Sequence, residues 1–223
     1  NDALPSLLSP LLHENTSLLT LQNGLGNEEF LFQHFPNHPI LGGLCYVCIN
    51  RGELGVIRHL SHGRVDMGKF TESGDTEAVA ALFTNAGLDC RLLPDLGLAR
   101  WRKLVWNVPF NGLSIAAGGI DVGQILADDD LLYLTRGLMR EIIGIAKKLG
   151  HEIPTSFAEK NIENTRSMGA YHPSSLIDYL EGREVEVEPI WGVALRHGFN
   201  SGAEVGRLEM LYHLIRRFVE ARR

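Results

Sequence analysis

Lys103, Asn107 and Asn111 stand four residues apart in the stretch WRKLVWNVPFNG, residues 101–112. In a helix that spacing places all three on one face, each step drifting about 40° and climbing roughly 6 Å. Together they offer an ammonium and two amides that donate and accept hydrogen bonds at once, the groups a small polar molecule would need. Two readings are open. Lysine is usually solvated, so the stripe can be the water side of an amphipathic helix. Yet Leu104, Val105, Trp106, Val108, Phe110 and Leu113 surround it, which points to a helix buried all round with a pocket along its polar line. Pro109 removes a backbone donor between the two asparagines and predicts a kink there.

A second constellation is PSSLIDYLEGREVEVEPIWG, residues 173–192. Ser174 or Ser175 follows a proline as a helix N-cap would, Asp178 and Arg183 bracket the far end, and Glu186 and Glu188 alternate with valines before the next helix. Taken alone this is a capped helix, a loop and first-turn carboxylates. A third is LTLQNGLGN, where Asn23 sits just past the C-terminal end of a strand, the place where α/β sheets bind ligands. Asn-Gly is also a routine turn.

The remaining chemistry-bearing residues form no set. His59 and His62 fall in a strand-and-loop pattern with no carboxylate or cysteine to complete a metal site, so no metal is expected. Cys45 and Cys48 in CYVC lie in an apolar strand pattern and read as core cysteines. There is no G-x-S-x-G elbow and no G-x-G-x-x-G; Gly24-Leu25-Gly26 is followed by Asn27, Glu28 and Glu29, which would set carboxylates before a phosphate.

The elements that must position these residues fall into two parts. Up to about residue 94 helix-like and strand-like segments alternate: a helix over LPSLLSPLLHE, a strand over SLLTL, and a helix over NEEFLFQHF capped by Asn27. Strands follow over ILGGLCYVCI, GVIRHL and RVDMGKF, then a helix from Asp75 to Ala86 with Val79, Leu82 and Phe83 inward, then the strand LDCRLL. From about residue 95 only helices are predicted, over 95–117, 128–149, 155–167, 173–181, 188–197 and 203–222, with Gly150 and Gly198 as stops. The expected fold is α/β followed by all-α, with domains at 1–94 and 95–223. The opening inside a helix-like stretch, and the missing fingerprint, predict that about two βα units, on the order of 70 residues, precede this sequence.

The chain of 223 residues, 44% hydrophobic and 22% charged with a formal net charge of −6, is ordinary globular composition. Its only basic cluster is Arg216, Arg217, Arg222 and Arg223, placed in the last turns of the final helix, so neither nucleic acid nor an anionic membrane is expected as a partner. No apolar run approaches the roughly 18 residues of a membrane span, and a reducing, cytoplasmic location is the default.

The order strand-QNGLGNE, then GG…GVIRH…G, then WRKLVWNVPFNGLS, then PSSLIDYLEGREVEVEPIWG resembles the ketopantoate reductase (2-dehydropantoate 2-reductase) family across nearly the whole chain. The K-x-x-x-N-x-x-x-N helix, followed by S-x-x-x-D and a glutamate twelve residues past that serine, carries the likeness. The resemblance implies the C-terminal part of a Rossmann-type NADP-binding domain and a helical, 6-phosphogluconate-dehydrogenase-like substrate domain, with the active site in the cleft between. It implies NADPH-dependent reduction of 2-dehydropantoate to pantoate, in pantothenate and coenzyme A biosynthesis. Lys103 falls on the family's catalytic lysine; Asn107, Asn111 and Ser174 fall on substrate-binding positions, Asn23 on an asparagine near nicotinamide and substrate, and Glu186 on a glutamate near the cofactor. The implied partner is a small 2-keto acid, and the resemblance allows a homodimer. Val185-Glu186-Val187-Glu188 stands where many members carry Thr-Glu-Ile-Asp, and GFNSGAEVG replaces a common Gly-Val-x-x-Pro stretch. The alternatives are a paralogue acting on another 2-keto acid and a non-catalytic helical dimerisation module. The second has no need of the lysine, asparagine, serine and glutamate set.

Overall fold

The computed structural model describes residues 1–222, with backbone only at 50, 51, 60 and 61. It separates into two compact units, Asn1–Ala99 and Arg100–Arg223.

The first unit is a mixed sheet of order β1-β2-β3-β4. Its elements in chain order are α1 (Leu4–Leu8) with a 3₁₀ turn at Ser9–Leu11, β1 (Leu18–Thr20), α2 (Asn27–His34), β2 (Ile40–Arg51), β3 (Ile57–Lys69), α3 (Thr76–Asn85) and β4 (Asp89–Leu92). β1 pairs parallel with β2, β2 antiparallel with β3, and β3 parallel with β4. Successive strand residues face opposite ways. Leu18 therefore joins Leu31, Phe35 and Ile40 under α1 and α2, while Leu19 joins Val65, Met67, Ala80 and Phe83 under α3.

Four expectations are corrected here. GVIRHL and RVDMGKF are one strand, β3, because their partner β2 is long enough to pair with both; register shifts at Tyr46/Val47 and Cys48/Ile49 absorb the irregularity around His62, which has φ 62°. Asn27 is the first helical residue and not the cap of α2; Gly26, at φ 87°, takes that place, and the Asn27 amide donates back to the Asn23 carbonyl at 2.9 Å. Leu82 is 68% exposed, because the buried arc of α3 runs through Thr76 and Ala80 to Phe83 and Leu82 lies about 100° round from Phe83. Of the cysteines, Cys45 packs in the α3 core and both Cys45 and Cys48 are only half-buried, on a strand that leaves the sheet as a ribbon.

The second unit is helical: α4 (Leu96–Ala116, which begins at the end of the first unit), α5 (Val122–Ala127), α6 (Asp129–Lys148), α7 (Ser156–Arg166), α8 (Ser174–Leu180), a π-helical turn at Glu188–Gly192 running into α9 (Val193–Ser201), and α10 (Gly206–Glu220). Among the described residues no helix is long and apolar enough to cross a membrane. α5 is absent from the sequence-based expectation, although Asp121 and Gln124 form a complete capping box at its start. Gly198 does not stop α9; it lies inside the helix, where a Cβ would collide with Val205, and the stop is Gly202 at φ 64°. Arg216 and Arg217 lie in α10 and Arg222 lies beyond its end, while Arg223 falls outside the described residues.

α4 is the axis of this unit's core. Of the stripe's apolar surround, Leu104, Val105, Val108, Phe110 and Leu113 are buried, together with Trp101 and Ile115, while Trp106 is half-buried. The helix runs unbroken through Pro109. Gly112 allows the closest approach: a Cβ there would stand 2.6 Å from Leu211 Cδ2 and 3.0 Å from Trp191 Nε1. The indole Nε1–H of Trp191 donates to the Val108 carbonyl at 3.0 Å, so α4, the π turn and α10 interlock at this glycine. Glu141 of α6 closes the other side, accepting the backbone N–H groups of Arg207 and Leu208 at the first turn of α10 and pairing with the Arg207 guanidinium.

Candidate active site

Along α4 the polar stripe sinks into the core. Lys103 is half-buried, Asn107 is 8% exposed, Asn111 1% and Ser114 0%. Of the two readings of the stripe, the structure supports the one with a buried polar line; a solvated face would be exposed throughout. A buried amide must be hydrogen-bonded, and Asn111 is: its Nδ2 donates to the Asn107 carbonyl at 3.1 Å and its Oδ1 accepts the Ser175 N–H at 2.9 Å.

That second bond brings α8 to the stripe. Neither serine is the N-cap of α8. Pro173 holds that position and makes no side-chain cap, so Ser174 is the first helical residue and is exposed, while Ser175 is buried. The acceptor a cap would supply comes from Asn111 instead. Asp178 and Arg183 do close the far end, the guanidinium donating to the carboxylate at 2.7 Å and the Arg183 N–H to the Asp178 carbonyl at 2.8 Å. Glu186 is half-buried just before the π turn, and its carbonyl accepts the Ile190 N–H at 3.3 Å. Asn23 belongs to the first unit, half-buried in the turn after β1.

Two supporting residues escape a reading of the sequence alone. Trp191 lies in the quoted motif, and its full burial follows only from the fold. Tyr212 donates its hydroxyl to Glu188 Oε1 at 2.5 Å, and Arg196 donates to Oε2 at 2.8 Å, which pins the π turn beside Glu186. Burial alone pushes the Glu188 carboxyl up, but the hydrogen bonds from Tyr212 and Arg196, with the charges of Arg196 and Arg216, more than reverse it and leave it below the usual carboxylate range. A carboxyl depressed in the fold stabilises it above the unfolded pKa of about 4.3 and loses that contribution as pH falls through the lower folded value. Melting temperature followed from pH 6 to pH 3 should therefore fall less steeply in Glu188→Gln than in the parent; equal slopes would show that the carboxylate is not held ionised by the fold.

The chain thus joins a mixed α/β unit to a helical unit whose asparagine line is buried and whose lysine is half-buried. Two family models match, Ketopantoate reductase PanE/ApbA over residues 1–72 and Ketopantoate reductase PanE/ApbA C terminal over residues 95–219. The 2-dehydropantoate 2-reductase of Nostoc sp. is 37% identical over 229 aligned residues, spanning 100% of this chain and 71% of the relative. The crystal structure of 2-dehydropantoate 2-reductase from Geobacter metallireducens superposes with a TM-score of 0.91 at 42% identity, covering 97% of this chain and 73% of the other. The chain belongs to the ketopantoate reductase family. The fold also occurs at 19% identity in D-mandelate dehydrogenase, solved with NADH and anilino(oxo)acetate, with a TM-score of 0.88 over 99% of this chain and 74% of the other.

Proposed function

We propose that the protein catalyses the NADPH-dependent reduction of 2-dehydropantoate to pantoate, a step of pantothenate biosynthesis. The observation that carries this reading is the 37% identity to the Nostoc 2-dehydropantoate 2-reductase along the entire chain, joined to a lysine at the accessible end of a buried asparagine line.

The residues present fit part of the dinucleotide. The turn after β1 lies at the C-terminal end of a parallel strand, where nucleotides bind. However, Glu28 and Glu29 occupy the first turn of α2, and the Glu28 carboxylate lies buried against Gly42. Carboxylates at a helix N-terminus oppose a phosphate, so this turn suits the nicotinamide end of NADPH, with Asn23 as its hydrogen-bonding group. In the helical unit, Glu186 is the residue proposed to contact the cofactor. When bound, the cofactor supplies the hydride that reduces C2 of the keto acid.

Lys103 does the rest of the chemistry. As the carbonyl carbon gains the hydride pair, negative charge collects on its oxygen; the ammonium stabilises that charge and then gives up a proton to complete the alcohol. Asn107 donates and accepts at the substrate's polar groups, and the exposed hydroxyl of Ser174 hydrogen-bonds its carboxylate. The proposal reaches to NADP over NAD and to 2-dehydropantoate over other 2-keto acids. The VEVE sequence at 185–188 and the shared fold of D-mandelate dehydrogenase favour one rival, a paralogue reducing a different 2-keto acid. A panel of branched and unbranched 2-keto acids, each assayed with NADPH and NADH on the whole protein, tests it. The highest kcat/KM is expected for 2-dehydropantoate with NADPH; a higher value for another keto acid would move the assignment to the paralogue.

A further inference from the structure

We infer that the cleft between α4 and α7 is a second binding site, separate from the α4 polar stripe, and that it takes the phosphate group of a small phosphomonoester. Arg102, Pro154, Ser156, Phe157 and Lys160 line a cleft of about 450 Å³, a volume in the range of small-molecule sites. Both charged groups in its walls are cations, in a chain whose net charge is −6. The carboxylates of α7 are turned to other arginines: Glu159 accepts from Arg136 at 2.8 and 3.1 Å, and Glu163 pairs with Arg166 at 3.5 Å. Among the described residues no carboxylate pairs with Arg102 or Lys160.

Packing on both helices fixes the walls. α7 seats Ala158 and Ile162 in the core, with Ile153 buried ahead of it. Trp106, one turn along α4 from Arg102, donates its Nε1–H to Thr165 Oγ1 at 2.9 Å. The Arg102 guanidinium lies over the Phe157 ring, 5.8 Å from its centroid. A guanidinium on a ring face keeps its N–H donors in its own plane, where they meet two phosphate oxygens at once. Lys160 adds a compact charge, and Ser156, one turn before it on the same face of α7, adds a hydroxyl. Two cations balance a phosphate dianion, whereas a lone carboxylate would leave one charge over. The cleft is larger than a bare phosphate fills, so the group it takes carries an organic body. On α4, Arg102 lies about 100° round from Lys103, and an anion held here stands off the polar stripe.

The test is titration calorimetry on the whole protein at constant ionic strength and about pH 8, where the phosphate is a dianion. The probes are glycerol 3-phosphate and inorganic phosphate. Saturable binding of glycerol 3-phosphate is expected, at a lower Kd than that of inorganic phosphate. Arg102→Gln and Lys160→Gln should each weaken it about tenfold or more, the loss of one charge-assisted hydrogen bond. Both residues are exposed, so the variants should melt with the parent. Lys103→Ala should bind the probe as the parent does. No saturable binding, or equal binding by the parent and both glutamine variants, overturns the site. A loss in Lys103→Ala as large as in Lys160→Gln would put the anion on the stripe and overturn it as well. Equal affinity for the two probes would assign the cleft to the free ion and overturn the phosphomonoester.

Discussion

Replacing Lys103 by alanine is expected to lower kcat for 2-dehydropantoate reduction by about 10² or more, the usual worth of a positioned general acid, while KM changes little. The reasoning is differential. The ground-state ketone carries little charge on its oxygen, and the alkoxide forming from it carries nearly a full one, so an ammonium at that oxygen is worth most in the transition state. Lys103 is half-buried and its helix is anchored by apolar residues on its other faces, so the variant should fold. Lys103→Arg sharpens the experiment. Arginine keeps the charge but does not give up its proton in a protein, so KM should again change little while turnover stays low. Steady-state kinetics of the two variants, with melting temperatures beside them, decide it. Turnover near the parent value in Lys103→Ala would remove this residue as the acid.

The second large effect is on stability. Trp191→Ala should destabilise the protein by about 3–5 kcal/mol, the typical cost of emptying a buried large aromatic site. Trp191 is fully buried, packs at Gly112 and donates to the Val108 carbonyl. The cavity would open where α4, the π turn and α10 meet, and small residues cannot collapse into it because Leu211 and Ile215 are already seated against Gly112. Trp191→Phe retains most of the volume and gives up the N–H, and should cost about 1 kcal/mol. Urea denaturation of the three proteins gives the comparison. A loss under 1 kcal/mol for the alanine variant would mean that this junction is not the anchor its geometry describes.

What could be read from the sequence, and what could not, follows the range of the forces involved. The division into an α/β part and a helical part is local periodicity, and WRKLVWNVPFNG announces its own burial because its apolar residues leave no wide polar face. The cap of α8 is another matter. Pro173-Ser174-Ser175 carries the local signature of a serine cap, yet the acceptor comes from Asn111, supplied by tertiary structure that no local pattern encodes. The same is true of Tyr212 and Glu188, two ordinary residues 24 apart that only the fold brings together. The π turn at Glu188–Gly192 reads in the sequence as plain helix, since a widened turn differs from its neighbours by one shifted hydrogen bond and has no composition of its own. In contrast, the capping box at Asp121–Gln124 was legible and α5 could have been found from it. Family likeness and local pattern together name the residues of the candidate site, and the fold gives each its depth: Lys103 half-buried, Ser174 exposed, Asn111 buried and bonded to the Asn107 carbonyl and the Ser175 N–H.

The graded depth of the α4 stripe gives the helix a use as a ruler. Under the proposed function, a keto acid with its carbonyl at Lys103 has the Asn107 amide about one turn, or 6 Å, further in. One turn beyond that stands the Asn111 amide, whose oxygen accepts the Ser175 N–H of α8. Under the proposed function the helix rise sets the scale of recognition, and selection among keto acids turns on how far the chain past C2 extends along Asn107 and Asn111.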